Sequence, residues 1–382
     1  MNIGITCYPT YGGSGVVATE LGKELARRGH TVHFISYALP FRLDAFDENI
    51  FFHEVELPQY PLFEESLYAL SLTSKMVDVV LYNDLDVLHV HYAIPHAISA
   101  YNARQILNDQ GRDIKIITTL HGTDITLIGL DPTLLPLVRF SIDKSDGVTA
   151  VSRHLKEKTL TNFSLDRDIA VIPNFVDTTQ WHRNGGDRLR EQFAPNGESV
   201  LIHASNFRPV KRVNDVVRVF AAVREKTPAR LVMVGDGPDR AEAERLCREL
   251  EICSDVRFLG KQTALQEILS ASDLFLMPSQ NESFGLSALE AMACGVPVLS
   301  TSVGGLPELN VHGQTGYISE IGDVDRMARY GIDLLRDRKR YERFSRAARE
   351  RAEAQFSADL IVPQYEEYYR QILELEPIVT GK

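Results

Sequence analysis

The sequence has little that would staple, anchor or span. Cysteine is scarce: Cys7, Cys247, Cys253 and Cys294 are scattered, and no two form a CxxC pair. That argues against a disulfide framework, and it fits a reducing compartment. No stretch approaches the roughly 18 uncharged apolar residues of a membrane span. The opening residues MNIGITCYP lack the basic, apolar and small-residue zones of a secretory leader, so a cytoplasmic location is expected. Positive charge is also in deficit. Lys and Arg number 41 against 52 Asp and Glu, a net charge of −11. Residues 1–172 hold 14 against 21 and the remainder 27 against 31, so both halves share the shortfall. Such a chain has no global attraction for nucleic acid or an anionic membrane. Any phosphate or carboxylate it takes must be held by a local cluster.

What the sequence does have is alternation. Its 382 residues, 44% hydrophobic and 24% charged, suit a globular protein of two domains. Strand signals fall at residues 2–7, 31–37, 51–57, 87–92, 114–120, 147–151 and 170–172, with helical stretches between most of them. Residues 173–197 break into a polar, Gly- and Asn-containing stretch, expected to be the interdomain passage. The alternation restarts at 200–204, 230–234, 256–259, 274–277 and 297–300, and the C-terminal part is helical and charged, with Tyr365, Tyr368 and Tyr369. The expected class is α/β. Two Rossmann-like, doubly wound parallel-sheet domains, 1–172 and 173–382, would face each other across a cleft, with C-terminal helices of which the last packs back on the first domain.

Three segments could carry chemistry. Tyr11-Gly12-Gly13-Ser14-Gly15 follows the first strand and opens a helix expected from Val16, so its amides and the helix dipole form an anion site. The glycines fall at 12, 13 and 15, with Ala18 beyond, which is not GxGxxG. Ser36-Tyr37-Ala38 leaves no acidic ribose partner after the second strand, against a nicotinamide dehydrogenase. The richest segment is 278–308, PSQNESFGLSALEAMACGVPVLSTSVGGLPE. Here Glu282-Ser283-Phe284-Gly285 is expected to open a helix running to about Cys294. The amides of Ser283, Phe284, Gly285 and Leu286 would then be unpaired donors at a positive dipole end, suited to a diphosphate. Glu290 could accept from a ribose diol and Glu282 from sugar hydroxyls. The plainer alternative makes Glu282 a dipole partner and Glu290 a surface charge. In SNFRPVKR, Lys211 and Arg208 could stabilise a departing diphosphate without a metal, or simply form a solvated basic loop.

Apparent metal signals are weak. Asp84-Leu85-Asp86 precedes a buried strand, and Asp323-Val324-Asp325 opens a helix, where Asp is a cap. His89 and His91 share a strand face with His96 nearby, but no carboxylate is arranged with them. No metal or other cofactor is expected.

Glu282-(seven residues)-Glu290, inside ESFGLSALEAMACGVPVLSTSVGG, resembles the donor-binding signature of the family 4 retaining glycosyltransferases of GT-B fold. The likeness extends over the whole chain. ITCYPTYGGSGVVATELGKELARRGH, LPFRLD, HVHYAIPHA, TTLHGTDIT and SNFRPVKR are similar to a branch that joins N-acetylglucosamine from UDP-GlcNAc to the hydroxyl of L-malate, opening bacillithiol biosynthesis. The resemblance implies that Lys211 and a second cation reach the donor phosphates. The family shows an arginine five residues before the lysine. Asn206 stands there in this sequence, with Arg208 three residues before, which leaves open which of the two serves. It further implies His121 on the transferred sugar and Glu282 on the sugar hydroxyls rather than the anomeric carbon. A same-face substitution follows, in which the leaving diphosphate takes the acceptor's proton. The expected catalytic set is His121, Lys211, Arg208 and Glu282. Gly13, Asn206, Ser283, Phe284, Gly285, Leu286 and Glu290 would hold the donor. Gly13, Ser14, Tyr92, Thr119 and Arg139 would hold the acceptor, with Arg153 an alternative cation. The bland readings are a strand-end His121 satisfied by backbone and an Arg139–Asp143 helix pair. Two competitors remain: a non-catalytic nucleotide-sugar binder, and a membrane-associated transferase building a cell-surface glycan, which would need a basic or apolar face. UDP-GlcNAc and L-malate are the expected partners, without nucleic acid or membrane. Oligomeric state is open, a homodimer being one option.

Overall fold

The structure is a computed structural model that describes residues 1–43, 46–58 and 67–374. It divides into two compact units, Met1–Pro173 with the residues from Ile361 on, and Asn174–Leu360. The first unit is built on seven parallel strands: β1 (Asn2–Thr6), β2 (Thr31–Ser36), β3 (Ile50–Glu54), β4 (Val87–His91), β5 (Lys115–Leu120), β6 (Gly147–Ala150) and β7 (Ala170–Val171). Their order is β3-β2-β1-β4-β5-β6-β7. The second has six parallel strands: β8 (Ser199–Ala204), β9 (Ala229–Val234), β10 (Val256–Gly260), β11 (Leu274–Met277), β12 (Val298–Thr301) and β13 (Gly316–Ser319). Their order is β10-β9-β8-β11-β12-β13.

Strands in such sheets are covered on both faces and read as unbroken apolar runs. β11, LFLM, is wholly buried, and its Leu274 and Leu276 join a cluster with Val216, Phe220 and Leu299. β4, VLHVH, is just as buried but places two histidines inside. In both sheets the order reverses next to the first strand, between β1 and β4 and between β8 and β11. Ligands of open parallel sheets bind beyond the carboxyl ends of the strands at such switch points.

The sequence places eleven of these strands to within about one residue at each end, overruns the end of β3 by three, and misses β13, whose short GYIS has its middle pair half-exposed. Three boundaries differ. The first helix is Gly13–Arg27, so Gly13 to Gly15 form its first turn instead of a loop before Val16. The helix expected from Glu282 starts at Leu286 and ends at Ala293, because Gly285 at φ +97 breaks the helical path just ahead of it. The polar passage 173–197 contains the helix Asp187–Phe193, held where Arg190 donates to the Ala271 carbonyl at 3.1 Å and pairs with Asp273 at 2.5 Å.

Within the first unit, residues 361–372 belong to the helix Ala358–Ile372 and tie into the sheet. Tyr369 bonds His89 at 2.7 Å, Tyr368 accepts from the Val148 amide at 2.9 Å, and Glu366 meets His30 at 2.8 Å. Among the described residues, no helix is long and apolar enough to cross a membrane.

Candidate active site

In the second unit the residues after β8 and after β11 meet. The β8 strand carries His203, buried, whose Nδ1 donates to the Leu276 carbonyl at 2.8 Å, so its Nε2 accepts from the Ser205 hydroxyl at 2.8 Å. Ser205 Oγ in turn accepts from the Phe207 amide at 3.2 Å. This chain of bonds fixes the turn in which Phe207 adopts φ +41 and buries its ring. Arg208 is exposed at the head of a short turn, Pro209–Lys211, and Lys211 closes it half-buried. The Gln280 amide donates to the Val210 carbonyl at 2.7 Å, bringing the β11 loop alongside. Lys211 Nζ there pairs with Glu282, whose Oε1 also accepts from Ser279 Oγ at 3.0 Å. Asn206 Oδ1 is buried without a partner.

Glu282 is held from behind by backbone. The Gly305 amide donates to the Glu282 carbonyl at 3.0 Å. A Cβ on Gly304 would stand 1.7 Å from that carbonyl oxygen, and one on Gly305 would stand 2.3 Å from the Ser283 oxygen. Only glycines allow the approach. Phe284 buries its ring against Phe356, centroids 5.6 Å apart. The 283–286 amides lie ahead of the first turn of the helix Leu286–Ala293 and meet no acceptor among the described residues, as a helix start leaves them. Glu290 is 3% exposed on that helix, so it is not the surface charge of the plainer alternative.

In the first unit the candidates follow β1, β4 and β5. Gly15 is buried with a Cβ position 2.5 Å from the Tyr8 carbonyl, whereas Gly13 is exposed with nothing within 4 Å of its own. Gly15 thus serves packing, and the Gly13 and Ser14 amides remain approachable at the helix start. Tyr92 has φ +100, its amide donates to the Thr119 carbonyl at 3.0 Å, and its ring lies 5.5 Å from that of His121. His121 is half-buried and bonds His91 at 2.8 Å. Burial holds the His121 imidazole at a pKa of about 3 and that of His89 also at about 3, and it pushes His91 well below the usual histidine range.

Thr119 does not stand open to a ligand. Its hydroxyl is fully buried, 2.7 Å from His89 Nε2 and 2.7 Å from Thr149 Oγ1. Arg139 is exposed on the helix Leu135–Lys144 and makes no ion pair among the described residues, with Asp143 or otherwise. Arg153 begins the helix Arg153–Phe163. Of the Asp pairs, Asp86 accepts from the Asn2 amide at 2.7 Å, and Asp323 caps its helix by accepting from the Arg326 amide at 3.1 Å. Among the described residues, no group of three or more His, Cys, Asp or Glu could hold a metal ion.

Two residues went unassigned in the sequence. His203 gave no signal in an apolar strand. Asp124 lies in the quoted HGTD run without a role of its own. It is buried and accepts from the Ala93 amide at 2.9 Å and the Gly122 amide at 3.0 Å, which locks the segments after β4 and β5 together. Burial nevertheless pushes its pKa up to about 6.

A curated relative, N-acetyl-alpha-D-glucosaminyl L-malate synthase of Bacillus anthracis, is 50% identical over 374 residues, 98% of this chain and 97% of that protein. The chain belongs to the family 4 glycosyltransferases. The family description "Glycosyltransferase Family 4" matches residues 11–180 of this glycosyltransferase, and "Glycosyl transferases group 1" matches 187–351. A GDP-mannose-dependent phosphatidylinositol monomannoside mannosyltransferase of Mycobacterium tuberculosis is 27% identical over 78% of each chain. Among solved structures, a sucrose-phosphate synthase of Thermosynechococcus elongatus matches with a TM-score of 0.80 at 22% identity, over 98% of this chain and 99% of that one. Anabaena HepE in complex with UDP and glucose matches with 0.80 at 21% identity, over 96% and 99%. This glycosyltransferase therefore has the GT-B fold.

Proposed function

We propose that this glycosyltransferase transfers N-acetylglucosamine from UDP-GlcNAc to the hydroxyl of L-malate with retention of configuration, as the first step of bacillithiol biosynthesis in the cytoplasm. The observation that carries the transfer chemistry is the Lys211–Glu282 pair at the head of the helix Leu286–Ala293. A cation, a carboxylate and unpaired amides converge there, groups that can together hold a diphosphate. The donor and acceptor classes are supported by the B. anthracis relative, 50% identical over 98% of this chain.

In this reading the 283–286 amides, Lys211 and Arg208 hold the diphosphate, Glu290 takes the ribose diol and Glu282 the sugar hydroxyls. Asn206, with its buried unpartnered oxygen, lines the same loop. His121 meets the transferred sugar. The Gly13 and Ser14 amides, Tyr92 and Arg139 receive the malate carboxylates. Thr119, committed to His89 and Thr149, supports the histidines instead of touching the acceptor. The C1–oxygen bond to the diphosphate breaks as the malate oxygen bonds C1 on the same face. The malate hydroxyl proton passes to the departing diphosphate, so the protein supplies positioning and charge.

The test is a screen of nucleotide sugars against small hydroxy acids, following UDP release with and without chelator. UDP-GlcNAc with L-malate should stand out, and chelator should change nothing. Turnover only with sugar or lipid acceptors would overturn the acceptor assignment. Tight UDP-sugar binding with no release on any acceptor would instead point to a binding protein.

A further inference from the structure

The buried histidines of β4 set a constraint that chemistry at His121 inherits. His91 is fully buried, with its Nδ1 2.8 Å from His121 Nε2 and the two rings stacked at 5.1 Å. Its other nitrogen, Nε2, is buried with no hydrogen-bond partner. His91 is itself held in place, since its carbonyl accepts from His96 Nδ1 and its ring lies 4.5 Å from that of His89.

Burial keeps both rings of the pair neutral at physiological pH, so each carries one proton. One of the two facing nitrogens must then donate. Were it His121 Nε2, the single proton of His91 would sit on its own Nε2, a buried N–H with no acceptor. Orphaned buried donors are rare, and an unfilled acceptor position is the milder defect. The proton of His91 therefore belongs on Nδ1.

We infer that His91 is a positioning residue that donates from Nδ1 to His121 Nε2, fixing His121 as the tautomer whose Nδ1–H faces outward as a donor. Its catalytic meaning rests on the proposed contact between His121 and the transferred sugar. In that contact His121 offers a proton to a sugar oxygen and cannot offer a lone pair.

The full-length protein, labelled with 15N-histidine, reports this directly through long-range imidazole 1H–15N correlations at neutral pH. His121 is assigned by the signals lost in His121→Asn. Wild-type His121 should be protonated on Nδ1. His91→Leu should mix the two tautomers and lower kcat by about tenfold or more, with UDP affinity unchanged. His91→Asn keeps an amide donor near the Nδ1 position and should restore both. Wild-type His121 protonated on Nε2 would overturn the inference, as would an unaltered tautomer in a folded His91→Leu protein. A shifted tautomer with unchanged kcat would leave His91 its positioning role and remove His121 from the sugar.

Discussion

Lys211 and Glu282, 71 residues apart in the chain, form an ion pair where the β8 and β11 loops meet, with side chains 20% and 10% exposed. A diphosphate at the start of the helix Leu286–Ala293 must share the ammonium with that carboxylate. Lys211→Ala removes the charge proposed to steady the departing oxygens, while the 283–286 amides stay in place. UDP release should fall by about 10²-fold or more, and UDP binding, measured by calorimetric titration, should weaken only moderately. Near-normal turnover would remove this account of leaving-group stabilisation.

The two loops were legible in the sequence because chemistry at a switch point follows chain order: a strand, then its loop, then a helix start. The sheets were legible for a related reason, since strands covered on both faces appear as largely apolar runs such as LFLM in β11. Partners across strands were not. Thr119 read as a strand-end ligand, yet the register pairs it with His91 on one side and Thr149 on the other, inside the sheet. The roles of His203 and Asp124 are set by which carbonyls and amides surround them, and no spacing in the sequence encodes that.

Gly304 should tolerate no side chain. It sits at φ +59 with a Cβ position 1.7 Å from the Glu282 carbonyl oxygen, whereas Gly313, at φ +76, has nothing within 4 Å. Gly313→Ala bears only the left-handed backbone cost, about 1–2 kcal/mol, and should keep its kcat. Gly304→Ala adds a collision that must push Glu282 off its place, so it should lose more stability and most of the transfer activity. Denaturant midpoints and UDP release measured on both proteins check this. Equal behaviour of the two variants would mean that the close approach does not fix Glu282.

Acid should unfold the first unit before the second. There, burial lowers His33 to about 4, His89 to about 3, His96 to about 4 and His121 to about 3, and it pushes His53 below and His91 well below the usual histidine range. Each binds a proton more readily unfolded than folded, so stability present above about pH 6.5 is lost as pH falls toward those values. Asp124 acts in the opposite sense, because its pKa, raised from 3.8 to about 6, lets the folded form take a proton first in that window. One group against six leaves a net loss, at most about 1.4 kcal/mol per pH unit for each uncompensated group. In the second unit His203, lowered to about 4, acts in the same sense, and Glu198, lowered from 4.5 to about 2, joins it only below about pH 4.5. Urea midpoints resolved by unit-specific hydrogen exchange from pH 7.5 to 5 should show the first unit falling faster. A flat profile would mean these imidazoles are solvated.

Tyr369 offers a sharper test of the same interior. Its hydroxyl lies 2.7 Å from His89 Nδ1, both side chains are fully buried, and Thr119 holds the other ring nitrogen at 2.7 Å. Tyr369→Phe keeps the ring and strands one nitrogen of His89, which should cost about 1–3 kcal/mol with an unchanged denaturant slope. Adding His89→Phe removes the stranded group as well, and Thr119 retains Thr149 as its partner. Replacing both partners of a buried bond by apolar groups of similar shape is nearly neutral, so the double variant should be no less stable than Tyr369→Phe alone. If the two losses simply add, the hydrogen bond is not what joins the helix Ala358–Ile372 to β4, and packing of the tyrosine ring carries that join instead.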